Sequence, residues 1–145
     1  MSQLLQEIEA LRKPMKELND FIFDHPELGN EEFKAHELLT NLLEEEGFTV
    51  DREVSGLKTA FRAVYHVHGG GPKIGLLCEY DALEGLGHAC GHNLQGPSIC
   101  TAAIALKRTL QAPCTLVVYG TPAEETASGK LVMAREGVFD DLDLA

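Results

Sequence analysis

KIGLLCEYDALEGLGHACGHN, residues 73–93, carries an unbroken apolar run straight into a glycine-rich loop of acids, imidazoles and a thiol. The run IGLLC is short and aliphatic, which predicts a strand covered on both faces. A second run of the same kind, TLVVYG at 115–120, leads into TPAEET with its adjacent Glu124 and Glu125. Between the two, residues from about Pro97 to Leu110 place Ile99, Ala102, Ala103, Leu106 and Leu110 on one helical face. A strand–helix–strand succession of this kind predicts a right-handed parallel α/β unit. Both polar loops should then leave one edge of one sheet, where ligands of open α/β sheets gather.

Upstream of this unit the pattern is helical, then strand-like. Leu4, Ile8, Leu11, Met15, Leu18 and Ile22 recur at steps of four and three, an apolar helical stripe. Pro14 lies inside it and is expected to kink or divide it. An internal proline also argues against a coiled coil. A second helix is expected from Asn30, as its cap, through Phe33, Leu39, Leu42 and Leu43 to Gly47, with His36 on its surface. FTVDREV and TAFRAVYHV read as strands, and Gly69-Gly70-Gly71-Pro72 as the turn before residue 73. Downstream, helix resumes around Lys130–Arg135 and Gly137 ends it, while the closing LDLA reads as the opening of another strand. The fold class expected is α/β, a mostly parallel sheet flanked by helices.

Composition excludes several functions. The chain has 145 residues, 44% of them apolar, enough for one domain with a real core. A net charge of −11, with no basic cluster longer than Arg12-Lys13, argues against nucleic acid or an anionic membrane as partner. No stretch of eighteen apolar residues and no signal-peptide core is present, so a cytoplasmic location is expected. Cys78, Cys90, Cys100 and Cys114 are too scattered for a disulfide scaffold and should be reduced thiols.

The two loops hold complementary chemistry. Thiol, imidazole and carboxylate together suit zinc, a borderline-soft ion. Alternate residues of an extended segment point the same way, so Cys90 and His92 are expected to face one ion. Of two adjacent glutamates, one can bind the metal while its neighbour takes a proton from metal-bound water, whose pKa zinc lowers to about 7. The plainer alternative is that Glu124 and Glu125 open a solvated helix after Pro122; their place opposite HACGHN favours the chemical reading. A metal-free hydrolase using Cys90 as nucleophile and His92 as base is disfavoured, because residues two apart on one extended segment seldom form that pair. The remaining candidates read as structural. His25 ends the first helix, His66 and His68 form a solvent-facing row on a strand, Cys78 and Cys100 are small core groups, and Cys114 merely starts a strand.

These residues also carry a resemblance. CEYDALEGLGHACGHN, followed some thirty residues later by YGTPAEET, resembles the metal-binding core of the aminoacylase and carboxypeptidase-type zinc metallopeptidases, metallopeptidase family twenty. The likeness is nearest to the amidohydrolase branch that includes aminobenzoyl-glutamate hydrolases, amidohydrolases of auxin conjugates and certain dipeptidases. HPELGNEE at 25–32 and EEGFTV resemble that family's N-terminal helices.

The resemblance implies Cys90, His92 and Glu125 as metal ligands, with Cys90 able to bridge two ions, and Glu124 as the general base. Asp81 stands where an aspartate orients a ligand from behind. Glu79 occupies a position at which other branches carry a ligand histidine, and it is not expected to coordinate. His88 matches a family histidine not generally found on the metal and is expected in loop hydrogen bonding. Asn93 replaces an aspartate common in other branches.

The implied cofactor is zinc, two ions in a full-length parent, with manganese or cobalt as alternatives. The implied reaction is hydrolysis of the amide bond of an N-acyl amino acid, an aminobenzoyl-glutamate-like conjugate or a dipeptide through a metal-bound hydroxide. Members of the family are two to three times longer, with further histidine ligands and a lid domain. Residues 1–145 therefore read as the N-terminal portion of a catalytic domain, an excised piece, a cleavage product or a truncated gene, inactive or nearly so alone. The rival reading is a non-catalytic metal-binding or dimerisation module, a homodimer whose incomplete sheet edge is covered by a second copy.

Overall fold

The computed structural model describes residues 2–145. Helices α1 (Gln3–Asp24) and α2 (Phe33–Glu45) precede strands β1 (Thr49–Arg52), β2 (Phe61–Val67) and β3 (Lys73–Cys78). Helix α3 (His92–Thr109), strand β4 (Cys114–Gly120) and helix α4 (Gly129–Arg135) follow. The sheet order is β1-β2-β4-β3. β3 and β4 pair in parallel around α3, while β1–β2 and β2–β4 are antiparallel. The expected helix-flanked α/β sheet is present, but its pairing is mixed, and the parallel part is confined to the β3-α3-β4 unit.

β4 is the centre of the molecule because every one of its residues is buried. Leu116 and Val118 face a core shared with Leu11, Ile22, Leu39, Leu43, Phe61 and Ile104, contributed by α1, α2, β2 and α3. Val117 and Tyr119 point the other way, to Ala60, Met133 and Phe139. Period-two alternation on a strand thus divides one apolar run between two layers, each large buried side chain contributing ~1.5–3 kcal/mol. β3 takes the edge position instead, and Ile74, Leu76 and Leu77 are only half-buried, so the expectation that IGLLC is covered on both faces is corrected. The outer side of β3 is met by the last residues: Asp143 and Leu144 donate to the Lys73 carbonyl, and Gly75 donates to the Leu144 carbonyl at 2.7 Å. The strand-like character of LDLA is seen as this single bridge.

The helices differ from expectation at their ends. α1 runs through Pro14 undivided, and of its apolar stripe Leu11 and Ile22 are buried whereas Leu4 and Ile8 are exposed. His25 ends it as expected, stacking on Phe21 with Nδ1 2.8 Å from the Phe21 carbonyl. Asn30 does not cap α2: it sits in the left-handed region at φ 67°, and the cap position falls to Glu32. His36 is buried rather than exposed, edge-on to Phe61, because its turn of α2 faces the sheet. α3 begins at His92, five residues before the expected start, since Gly91 at φ 83° turns the loop directly into the helix. His66 and His68 are exposed and Cys78 and Cys100 are buried, as read from the sequence, while Cys114 starts β4 as expected and is buried as well.

Candidate metal centre

Parallel pairing that ends at Cys78 beside Gly120 sends the two polar loops out of the same sheet edge. Thr121 binds them at the root, its backbone N–H and hydroxyl both donating to the Cys78 carbonyl. Gly120 permits this closeness, because a Cβ there would run into the Phe61 ring and lie 2.6 Å from the Tyr80 hydroxyl.

His92 is the hinge of the site. One side of its ring is fixed by Asp81, which is 1% exposed: Nδ1–H donates to Asp81 Oδ1 at 3.0 Å. The other carboxylate oxygen, Oδ2, accepts the Glu125 N–H at 3.0 Å, so one buried carboxylate sets both an imidazole and a carboxylate-bearing loop. This leaves Nε2 of His92 directed at other acids, 3.2 Å from Glu79 Oε2 and 3.9 Å from Glu125 Oε1. One donor atom each of Glu79, His92 and Glu124 lies within 4.8 Å of the others. Cys90 lies on the exposed side of this group; hydrogen bonding to Glu125, then burial and the charges of Glu125, Glu124 and Asp81, push its thiol above the usual range.

Asp81, His92, Glu124 and Glu125 are therefore brought together, with Cys90 against Glu125. Cys90 and His92 do not share an extended segment, because Gly91 separates a turn residue from the first residue of α3. Glu79, not expected to coordinate, joins His92 and Glu124 in the group of candidate donors. The alternation expected of Cys90 and His92 holds instead for Glu79 and Asp81, which follow directly on β3 and both meet His92. Glu79 is well occupied, however: Oε1 pairs with the Lys130 ammonium, and Oε2 accepts from Gln95 Nε2 at 2.9 Å. Lys130 and Gln95 carry no motif and are not legible in the sequence as site residues.

His88 is buried, and among the described residues no hydrogen bond joins either ring nitrogen to its own loop, so its expected loop hydrogen bonding is corrected. Burial is the main reason its ring stays uncharged more readily than a free histidine.

The donor chemistry fits a divalent metal. An imidazole whose Nδ1–H is held by a carboxylate presents Nε2 as a fixed ligand, the usual arrangement behind metal-bound histidine. Carboxylates and a thiol at hand would neutralise the ion.

No protein-family model matches the sequence. Over 95% of its length the chain is 45% identical to a p-aminobenzoyl-glutamate hydrolase component of Escherichia coli (strain K12), covering 32% of that protein. It is 38% identical to the Xaa-Arg dipeptidase of Mus musculus over 96% of its length, covering 35% of the relative. Among solved structures, a dinuclear metal binding peptidase of the M20 family from Bacillus subtilis superposes with a TM-score of 0.82 at 28% identity, over 92% of this chain and 41% of that one. The homologues are thus amidohydrolases and peptidases of the M20 family, and the chain spans about a third of the length of the curated relatives it matches.

Proposed function

We propose that this chain, whose homologues are M20 amidohydrolases, forms the amino-terminal part of the catalytic domain of a metal-dependent amidohydrolase acting on N-acyl amino acids, aminobenzoyl-glutamate-like conjugates or dipeptides. The observation that carries the reading is the Asp81–His92 pair at the joint edge of β3 and β4, with Glu124 and Glu125 near the free imidazole nitrogen and Cys90 against Glu125. Cys90, His92 and Glu125 would hold the ion, and zinc suits a thiolate, an imidazole and a carboxylate best. A metal bound there would polarise the amide carbonyl and make water acidic enough for a carboxylate to deprotonate.

The chain's own residues do the rest. Asp81 keeps His92 in one tautomer and one orientation. Glu124, adjacent to a ligand but free to reach past it, takes a proton from the attacking water and returns it to the departing amine nitrogen. Water is consumed, the C–N bond breaks, and an acid and an amine leave. The chain spans about a third of the length of these relatives, and alone it is expected to bind metal with little or no turnover. Four free cysteines support a reducing, cytoplasmic setting.

The test is elemental analysis and calorimetric metal titration of the chain purified without chelator, beside Cys90→Ala and Glu125→Ala. Zinc near one equivalent or more, lost in both variants, is expected. Unchanged zinc in both variants would overturn the ligand assignment. The rival module reading needs a free sheet edge for a second copy: Asp143 and Leu144 meet β3 only beside Lys73 and Gly75, β1 forms the opposite edge, and a stable dimer without turnover would favour that reading.

A further inference from the structure

In sequence, the segment 25–32 reads only as part of two helices. In the structure it is a clasp on both site loops. Glu27 and Leu28 hold the loop after β3: Ala82 N–H donates to the Glu27 carbonyl at 2.8 Å, and Leu28 bridges Ala82. Gly29 packs against the loop after β4 so closely that a Cβ would stand 2.5 Å from Thr126 Oγ1 and 2.8 Å from the Ala123 Cβ. Glu32 completes the clasp. Its side chain is wholly buried; Oε1 accepts the Ala123 N–H at 2.8 Å, and Oε2 accepts the Thr59 hydroxyl at 2.7 Å.

We infer that Glu32 is a positioning residue for the catalytic carboxylates, fixing the backbone of Ala123 so that Glu124 leaves β4 toward His92. The inference rests on the proposed role of Glu124 and Glu125. Two buried carboxylates grip alternate backbone N–H groups of one short loop, Glu32 at residue 123 and Asp81 at residue 125. Glu124 stands between the two grips, and its direction is set by them. The conformation so held is not one alanine adopts freely: Ala123 has φ 56°, in the left-handed region, and such a residue persists where its surroundings over-determine it.

A carboxylate is a costly choice for this place. Burial pushes its pKa up, and only Thr59 and the N–H groups of Glu32, Ala123 and Asn30 counter that. An apolar side chain would fill the space without that cost but would leave the Ala123 N–H unpaired.

The test uses the ¹⁵N-labelled chain with Glu32→Ala, Glu32→Gln and Thr59→Val. Amide exchange is read at residues 123–125 against residues 116–119 of β4, and cobalt binding is followed through the thiolate-to-metal absorption band. Glu32→Ala is expected to speed exchange at 123–125 by ~10-fold or more relative to β4 and to weaken cobalt binding, with Glu32→Gln recovering part of both. Exchange at 123–125 that is unchanged, or that rises only in step with β4, would show Glu32 to be ordinary core and overturn the inference. Absence of the cobalt band in the unaltered chain would sink the proposed metal site instead, and the exchange comparison would still decide the role of Glu32. If Glu32→Ala fails to fold, Glu32→Gln and Thr59→Val give the same readout at Ala123.

Discussion

Asp81 does two jobs with two oxygens, orienting His92 through Oδ1 and holding the Glu125 N–H through Oδ2. Asp81→Asn keeps its size but removes the charge and converts one acceptor into a donor. Metal affinity should fall ~10–100-fold, as with other carboxylates placed behind a ligand histidine, while thermal unfolding moves far less. Competition titration against a chromophoric chelator measures it.

His36 makes a prediction of a different kind. Its ring is buried with Nε2 unpartnered, and desolvation, helped by Arg52, keeps its pKa below 6.5, while Glu37 and Glu53 pull weakly the other way. The unfolded chain therefore takes up a proton from about pH 6.5 downward that the folded chain refuses, and stability is lost as pH falls through that window. His36→Gln should flatten the decline between pH 7 and 5.5 in denaturant melts. Had His36 been on the surface, as its place in an amphipathic helix suggests, the two curves would coincide.

At the scale of elements, β4 and its two ends govern the architecture. Gly120→Ala should cost ~1–3 kcal/mol by forcing Phe61 or Tyr80 aside where the site loop begins, measurable by urea unfolding. The strands and helices themselves are largely legible from periodicity, because an unbroken apolar run or a three-four stripe reports burial directly. What misleads is context. IGLLC has the composition of a doubly covered strand, yet only the topology decides that β4 is central and β3 is not. The start of α3 is hidden because its signal is Gly91 in a left-handed turn, and glycines in a glycine-rich loop do not announce which one turns. The ligand types at 90, 92, 124 and 125 stand out through their clustering. Glu32, Gln95 and Lys130 do not, since each is ordinary in its own segment and acquires its role across the fold.

Over the whole molecule, the site is an assembly of distant chain. Glu32 reaches Ala123 across 91 positions, Asn19 receives a hydrogen bond from Asn93 across 74, and Asp81 grips Glu125 across 44. Time is where this placement shows itself. Contacts so far apart in sequence form late on the way to the native state, after the loops between them have closed. A partly ordered chain would hold Cys90 and His92 near each other but not the carboxylates that join them, so an ion should find its full set of partners only after the rate-limiting step has passed. Zinc in the buffer is expected to leave the refolding rate unchanged and to slow unfolding, a division between the two arms that stopped-flow measurements with and without metal resolve. The metal would then act as a latch on the finished structure, lengthening its lifetime without guiding its formation.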